Sequence, residues 1–148
     1  MWPVPMTLQT YAVLVIGALL GARLAATTVA LYLIEGAAGL PFFAGGGGFA
    51  HLIGPTGGYL AGFLIAGALI GAMVERGWAK SFVGLLGAMT IGHVLVFALG
   101  VLQLQAFVGW SGAWTSGVAP FILGSIVKTL AAAATVRAAA PFLNAPRA

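Results

Sequence analysis

The stretch GYLAGFLIAGALIGAMV, residues 58–74, determines the fold class, because it is apolar and contains no charged side chain. A helix needs about 20 predominantly apolar residues, and at least about 17, to cross a hydrocarbon core of about 30 Å. Stretches of similar character run from Phe82 to Leu102 and from Val118 to Ala139. The 148 residues are 61% hydrophobic and 5% charged, whereas soluble domains carry about 25% charged residues. The sequence therefore predicts an all-α integral membrane protein, with residues 1–148 forming a single transmembrane helical domain.

The apolar region from Leu8 to Leu40 is too long for a single crossing. As one helix it would extend about 50 Å, and it would place Arg23 near the middle of the bilayer, which costs a few kcal/mol. A break at Gly21-Ala22-Arg23 gives two short helices and returns Arg23 to the interface. We therefore predict a bundle of five transmembrane helices.

The basic residues predict the orientation of this bundle. With five alternating spans, one side carries Arg23, Arg76, Lys80, Arg137 and Arg147, whereas the opposite loops contain no Lys or Arg. Cytoplasmic loops are enriched in Lys and Arg. We therefore expect a multi-pass protein of the plasma membrane with its N-terminus outside and its C-terminus inside.

The composition argues against several classes of function. The chain has no cysteine, so it can form no disulfide, thiolate metal site or thiol nucleophile. Two histidines and two glutamates lie far apart and do not form a metal-binding pattern. No nucleophile has an evident base, and the glycine run lacks the Gly-Lys-Ser/Thr ending of a phosphate-binding loop. We therefore predict no enzyme activity, no cofactor and no nucleic-acid partner.

Small residues recur four positions apart in the predicted spans. The pairs are Gly17/Gly21, Gly58/Gly62 and Gly67/Gly71, a spacing that lets helix backbones approach closely in lipid. We interpret them as contacts within one chain, with formation of a homo-oligomer as the alternative.

Two uncharged outer segments, Gly39 to Phe49 and Phe107 to Trp114, are rich in glycine and aromatic residues. Flexible exposed loops are normally polar, so this composition favours loops that fold back over a cavity. The alternative is an aromatic belt at the membrane surface, which Trp110 and Trp114 would also satisfy.

Lys128 lies about ten residues into the last span, or roughly 15 Å deep, where an ionisable group is a candidate for function. It could bind a ligand carboxylate or pair with Glu35. Ser125 is three residues earlier, on the same helix face. His93, in the fourth span, is expected to form an interhelical hydrogen bond rather than a ligand contact.

Several motifs in order along the chain resemble the BioY family, the biotin-specific substrate-capture (S) components of energy-coupling-factor transporters. They are VPMTLQT at residues 4–10, LGARL at 20–24, GLPFFA at 39–44, GPTGGYLAGF at 54–63 and PFI at 120–122. The resemblance implies an S-component six-helix fold, here lacking its first helix, with an outer biotin pocket closed by loops. It also implies a transmembrane coupling protein and a pair of ATPases as partners. By motif match, the predicted substrate-binding residues are Thr7, Gln9, Gly57, Tyr59, Ser125 and Lys128.

The chain departs from the family pattern at two places. A helix typically precedes the segment that begins here at Trp2-Pro3, so we expect a further hydrophobic stretch encoded in frame upstream of Met1. The last helix usually contains Gly-Asp-x-x-Lys, whereas this chain has Gly124-Ser125-Ile126-Val127-Lys128. Without the acid, the alternatives are an S component for another small anionic vitamin, or a homologue that binds no ligand.

Overall fold

A computed structural model of the protein describes residues 4–143, which fold into helices and connecting loops without a β-strand. The α-helices are α1 (Gln9–Ala37), α2 (Ala50–Ile53), α3 (Gly57–Glu75), α4 (Phe82–Gly117) and α5 (Ile122–Leu143). Short 3₁₀ helices, Trp78–Lys80 and Ala119–Phe121, precede α4 and α5. The prediction of an all-α protein is confirmed.

Helix α1 consists of two halves, residues 9–20 and 22–37, which meet at Gly21. This residue has φ 78° and ψ 173°, a backbone region that essentially only glycine occupies. The chain reverses direction there. Gly67 of α3 lies next to Val13 of the first half and to Ala25 and Val29 of the second half, so both halves pack against the same part of α3. The predicted break at Gly21 is confirmed.

The second half of α1 begins against the end of α3. Its first amide, Ala22 N–H, donates a 2.8 Å hydrogen bond to the Glu75 carboxylate, and a carboxylate stabilises the positive end of a helix. A Cβ atom at Gly71 would lie 2.3 Å from the nitrogen of Ala22. Helix α3 therefore crosses the α1 break in direct backbone contact.

Helix α3 packs closely against α4 through two other glycines. A Cβ atom would lie 2.9 Å from the Cα of Val96 if added at Gly62, and 2.2 Å from the carbonyl oxygen of Leu99 if added at Gly58. Together with Gly67 and Gly71, these residues are buried in contacts between helices of one chain. The interpretation of the small-residue pairs as intramolecular contacts is confirmed for α3.

Helix α4 is longer than predicted. The sequence suggested a span ending at Leu102 and a loop over residues 103–116, but the helix runs on to residue 108, breaks at Gly109 (φ 72°, ψ 170°) and is helical again from residue 110 to Gly117. The amide of Gln103 donates to the carbonyls of Leu52 and Gly54 at 3.1 and 2.7 Å. These bonds accommodate a polar side chain inside the helix, and the loop prediction is wrong.

Three helical stretches of the described chain are long and apolar enough to cross a membrane. They are Gln9–Ala37, Gly57–Glu75 and Phe82–Pro141, the last of which includes α4 and most of α5. Helix α5 is attached to the bundle through Ala132 and Ala133, both fully buried.

Candidate ligand-binding site

A cavity lies between the start of α1, the first half of α3, the middle of α4 and the first turns of α5. It encloses about 660 Å³ of unoccupied space, counted together with its open mouth. Its aromatic walls come from Phe43, Tyr59, Phe63, Phe97 and Phe121, and its polar groups from Thr7, Gln9, Thr10, Thr56, His93, Ser125 and Lys128. The cavity is therefore apolar over most of its surface, with polar groups at a few points, as is typical of small-molecule sites.

Lys128 is the only charged side chain among the described residues of the cavity wall. It is partly buried, and its Nζ donates a 2.6 Å hydrogen bond to the carbonyl oxygen of Thr7. Within residues 4–143 no ion pair joins Lys128 to Glu35, which is exposed, and the partner of the Lys128 ammonium is the Thr7 carbonyl instead. The predicted alternative of an internal ion pair is therefore wrong, and the ammonium group remains available to an anionic ligand.

Thr7 and Gln9 hold the segment before α1 in a defined conformation. The Thr7 hydroxyl donates to Gln9 Oε1 at 3.0 Å and accepts from the Gln9 backbone N–H at 3.3 Å. The Gln9 amide Nε2 donates to the hydroxyl of Tyr32, in the second half of α1. Both residues lie in the cavity wall, as the motif match predicted.

Tyr59 and Ser125 also lie in the cavity wall, but each hydroxyl donates to a backbone carbonyl. Tyr59 donates to Gly117 at 2.9 Å, and Ser125 donates to Phe121, one turn earlier in its own chain, at 2.7 Å. A hydroxyl oxygen that donates its proton can still accept hydrogen bonds. These two residues can therefore offer acceptors to a ligand, while the Tyr59 ring forms part of the wall.

The structure does not bring Gly57 into the cavity. As the first residue of α3, it packs toward the α2 segment: a Cβ atom there would lie 1.8 Å from the Leu52 carbonyl oxygen and 2.6 Å from Gln103 Nε2. Glycine is needed here for close packing, so the geometry gives Gly57 no direct ligand contact. Thr56, its neighbour in the same motif, lines the cavity instead.

His93 connects α4 to α5, as predicted. Its Nδ1 lies 2.8 Å from the Thr129 hydroxyl, and its ring stacks on Phe97 with centroids 5.8 Å apart. His93 is buried yet also contributes to the cavity wall, which the sequence did not predict. Within residues 4–143, no three His, Asp or Glu side chains converge as a metal site.

The loop of residues 38–49, called here the glycine loop, folds over the cavity as predicted. Phe43 and Gly46 exchange two backbone hydrogen bonds of 2.9 Å, and Gly48 N–H donates to the Gly36 carbonyl at 2.7 Å. These bonds turn the Phe43 side chain inward, where it is 4% exposed and lies in the cavity wall beside Ala44.

The second aromatic segment, Phe107 to Trp114, does not cover the cavity. Trp110 and Trp114 are 63% and 56% exposed, and neither lines the cavity. The prediction of a second covering loop is therefore wrong. Exposed tryptophans at the end of a membrane helix are typical of the interfacial aromatic belt, which was the alternative.

Comparison with known proteins identifies the family. The BioY family profile matches residues 1–145. The chain belongs to the BioY family. It is 41% identical over 131 residues to a probable biotin transporter BioY of Pyrococcus horikoshii, covering 88% of this chain and 76% of that protein. It is 38% identical over 133 residues to the biotin transporter BioY of Thermotoga maritima, covering 88% and 78%.

The fold has a counterpart among solved structures. The chain matches the crystal structure of the S-component for biotin from an ECF-type ABC transporter with a TM-score of 0.84 and 29% sequence identity. The match covers 93% of this chain and 76% of that one.

Much of this BioY cavity wall was not predicted from the sequence. No sequence pattern marked the four phenylalanines of the wall as ligand-facing, namely Phe43, Phe63, Phe97 and Phe121. The reason is that 61% of the chain is hydrophobic, and an apolar residue in such a chain can face lipid as well as a cavity. Phe43, Phe63 and Phe121 fell within motifs that carried the resemblance, whereas Phe97 did not.

Proposed function

We propose that this chain is the substrate-capturing subunit of a biotin uptake system in the plasma membrane. One observation carries the proposal: the cavity combines aromatic walls with a single cation, Lys128, and the wall residues described contain no acid. Biotin has matching parts, a carboxylate, an apolar bicyclic ring and a ureido group. The family membership and the likeness to a biotin S-component support this choice of ligand.

The predicted site residues suggest how each part of biotin is held. An ammonium group has three N–H donors, and Lys128 uses one on Thr7, so two remain for a ligand carboxylate or carbonyl. The hydroxyl oxygens of Ser125 and Tyr59 can accept hydrogen bonds from ureido N–H groups. Phe63, Phe97 and Phe121 would pack against the ring and exclude water.

We also propose that the chain crosses the bilayer five times, with each half of α1 counted as one crossing. The halves, residues 9–20 and 22–37, are about 18 and 24 Å long, shorter than the hydrocarbon core. The outer ends of both halves can therefore lie below the membrane surface, where the segment before α1 and the glycine loop can shape a pocket. Uptake would use a transmembrane coupling protein and a pair of ATPases, because the chain has no nucleotide-binding motif.

Binding of tritiated biotin to the purified protein in lipid nanodiscs tests this proposal. We expect saturable, stoichiometric binding that unlabelled biotin displaces. A panel of pantothenate, nicotinate and lipoate tests the second candidate, an S component for another small anionic vitamin, which the Ser125 substitution favours. Displacement by one of these at lower concentration than biotin would support that candidate, and absence of all binding would indicate a homologue that captures no ligand.

A further inference from the structure

Tyr32 lies outside the cavity wall but contacts both segments that cover it. Its hydroxyl accepts a hydrogen bond from the Gln9 amide and donates one to the carbonyl oxygen of Phe42 at 3.3 Å. Its ring meets the Phe43 ring edge-on, with centroids 5.4 Å apart and planes at 79°. One side chain of the second half of α1 therefore joins Gln9, at the start of α1, to the glycine loop.

The hydrogen bonds of Tyr32 continue to the cation of the cavity. Gln9 Oε1 accepts from the Thr7 hydroxyl, and the Thr7 carbonyl accepts from Lys128. A continuous series of side-chain and backbone hydrogen bonds thus runs from α5, through residues 7–9, to the glycine loop. Lys128 lies at one end of this series and Phe42, the neighbour of the cavity residue Phe43, lies at the other.

We propose that Tyr32 is a positioning residue for ligand retention: its hydroxyl fastens both residues 4–9 and the glycine loop to the second half of α1, so that the two segments together form a lid that stays closed over the cavity. The inference rests on the proposed function only for the identity of the ligand. With the hydroxyl in place, neither segment can open without breaking its hydrogen bond to Tyr32. Without it, each segment loses one of its bonds and opens more often, so the ligand leaves faster.

Tyr32→Phe tests this, because it keeps the ring against Phe43 and removes only the two hydroxyl bonds. Each hydrogen bond makes a modest net contribution, so we expect biotin dissociation to be roughly tenfold faster with association changed little. The matched control is Tyr11→Phe, which removes a 2.8 Å hydroxyl contact to Thr135 elsewhere on α1. It should lower thermal stability similarly and leave the dissociation rate within about twofold of wild type.

A second measurement detects opening of the lid in the absence of ligand. The chain has no cysteine, so Val4→Cys introduces a single thiol at a cavity position that is 7% exposed. With Tyr32→Phe added, maleimide labelling of this thiol should be several-fold faster, and with Tyr11→Phe added it should be unchanged.

The two assays separate failure of this inference from failure of the proposed function. If the wild type binds no biotin, the proposed function fails, and the labelling rates alone decide the role of Tyr32. If the wild type binds biotin, unchanged dissociation in Tyr32→Phe or unchanged labelling of the thiol would each overturn the proposal.

Discussion

Lys128 donates to the Thr7 carbonyl at 2.6 Å and is the only cation of the described cavity wall. Its position combines two roles, since it can bind a ligand anion and it also holds the segment before α1. Thr7 accepts this hydrogen bond through its backbone carbonyl. Any residue at position 7 that leaves the backbone conformation unchanged could therefore accept it. The donor, in contrast, is the side chain of Lys128, so the identity of that residue matters.

We expect Lys128→Met to weaken biotin binding by about 100-fold or more, because removing one partner of a desolvated pair costs about 3–5 kcal/mol. Methionine keeps the apolar stem and removes the charge. Lys80→Met, at an exposed lysine outside the cavity, is the control and should bind as wild type does. Repeating the comparison with biotin amide identifies the ligand end: equal loss for both compounds would mean that Lys128 does not meet the carboxylate.

Ser125 occupies the position where the family usually has an aspartate. Its hydroxyl proton is used on the Phe121 carbonyl at 2.7 Å, so it can offer a ligand only an acceptor. A carboxylate accepts stronger hydrogen bonds from N–H groups, and we expect Ser125→Asp to increase the preference for biotin over an analogue without the ureido ring. Ser116→Asp replaces a serine in the same bonding pattern, to Gly112 at 2.6 Å, and should not change that preference.

Five of the six predicted site residues line the cavity, and the sixth shows why motif matching alone is incomplete. Gly57 belongs to the same motif as Tyr59, but it supports the packing of α3 on the α2 segment. A sequence motif contains residues that contact a ligand together with residues that support backbone packing. Only the side-chain directions separate the two groups, and those depend on contacts between distant parts of the chain.

The two halves of α1 show what a pattern of hydrophobicity can predict about an element. The limit on helix length and the charge of Arg23 predicted the break at Gly21, and the structure has it there. The same reasoning ended α4 too early, because the uninterrupted apolar stretch stops at Leu102. The partners of Gln103, the carbonyls of Leu52 and Gly54, are about 50 residues away in the sequence, so no local pattern could reveal them.

Substitutions at Gly21 and Gly109 separate the effect of backbone strain at a helix break from the effect of a side-chain contact. Both have φ near 75° and ψ near 170°, where a Cβ atom costs about 1–3 kcal/mol. At Gly21 that atom would also lie 2.4 Å from Glu75 Oε1, whereas at Gly109 it would meet nothing within 4 Å. We expect Gly21→Ala to lower the thermal unfolding temperature clearly more than Gly109→Ala. Equal decreases would show that the Glu75 contact adds nothing to the backbone strain.

The molecule as a whole carries its basic loop residues at one end and its cavity segments at the other. Arg23, Arg76 and Lys80 lie at the end where Glu75 meets Ala22, whereas the glycine loop and Trp110 lie at the opposite end. This arrangement agrees with the orientation expected from the positive-inside rule.

Single cysteines in intact cells test the orientation, because the wild-type chain has none. An impermeant maleimide added outside should label Ala38→Cys and Ser111→Cys, which are exposed positions at the cavity end. Lys80→Cys, exposed at the other end, should react only after the membrane is permeabilised. Labelling of Lys80→Cys alone in intact cells would reverse the orientation.

The bond from Lys128 to Thr7 joins residues 121 positions apart, and that from Tyr11 to Thr135 joins residues 124 apart. Ribosomes extend a chain by about 5–20 residues per second, so roughly 6–24 s pass between synthesis of the first and last partners. During this interval residues 4–9 have no α5 to hold them. A nascent chain, or any product truncated before Lys128, therefore lacks both the cation and the anchor of the lid. Vitamin capture can begin only when translation has delivered the last helix.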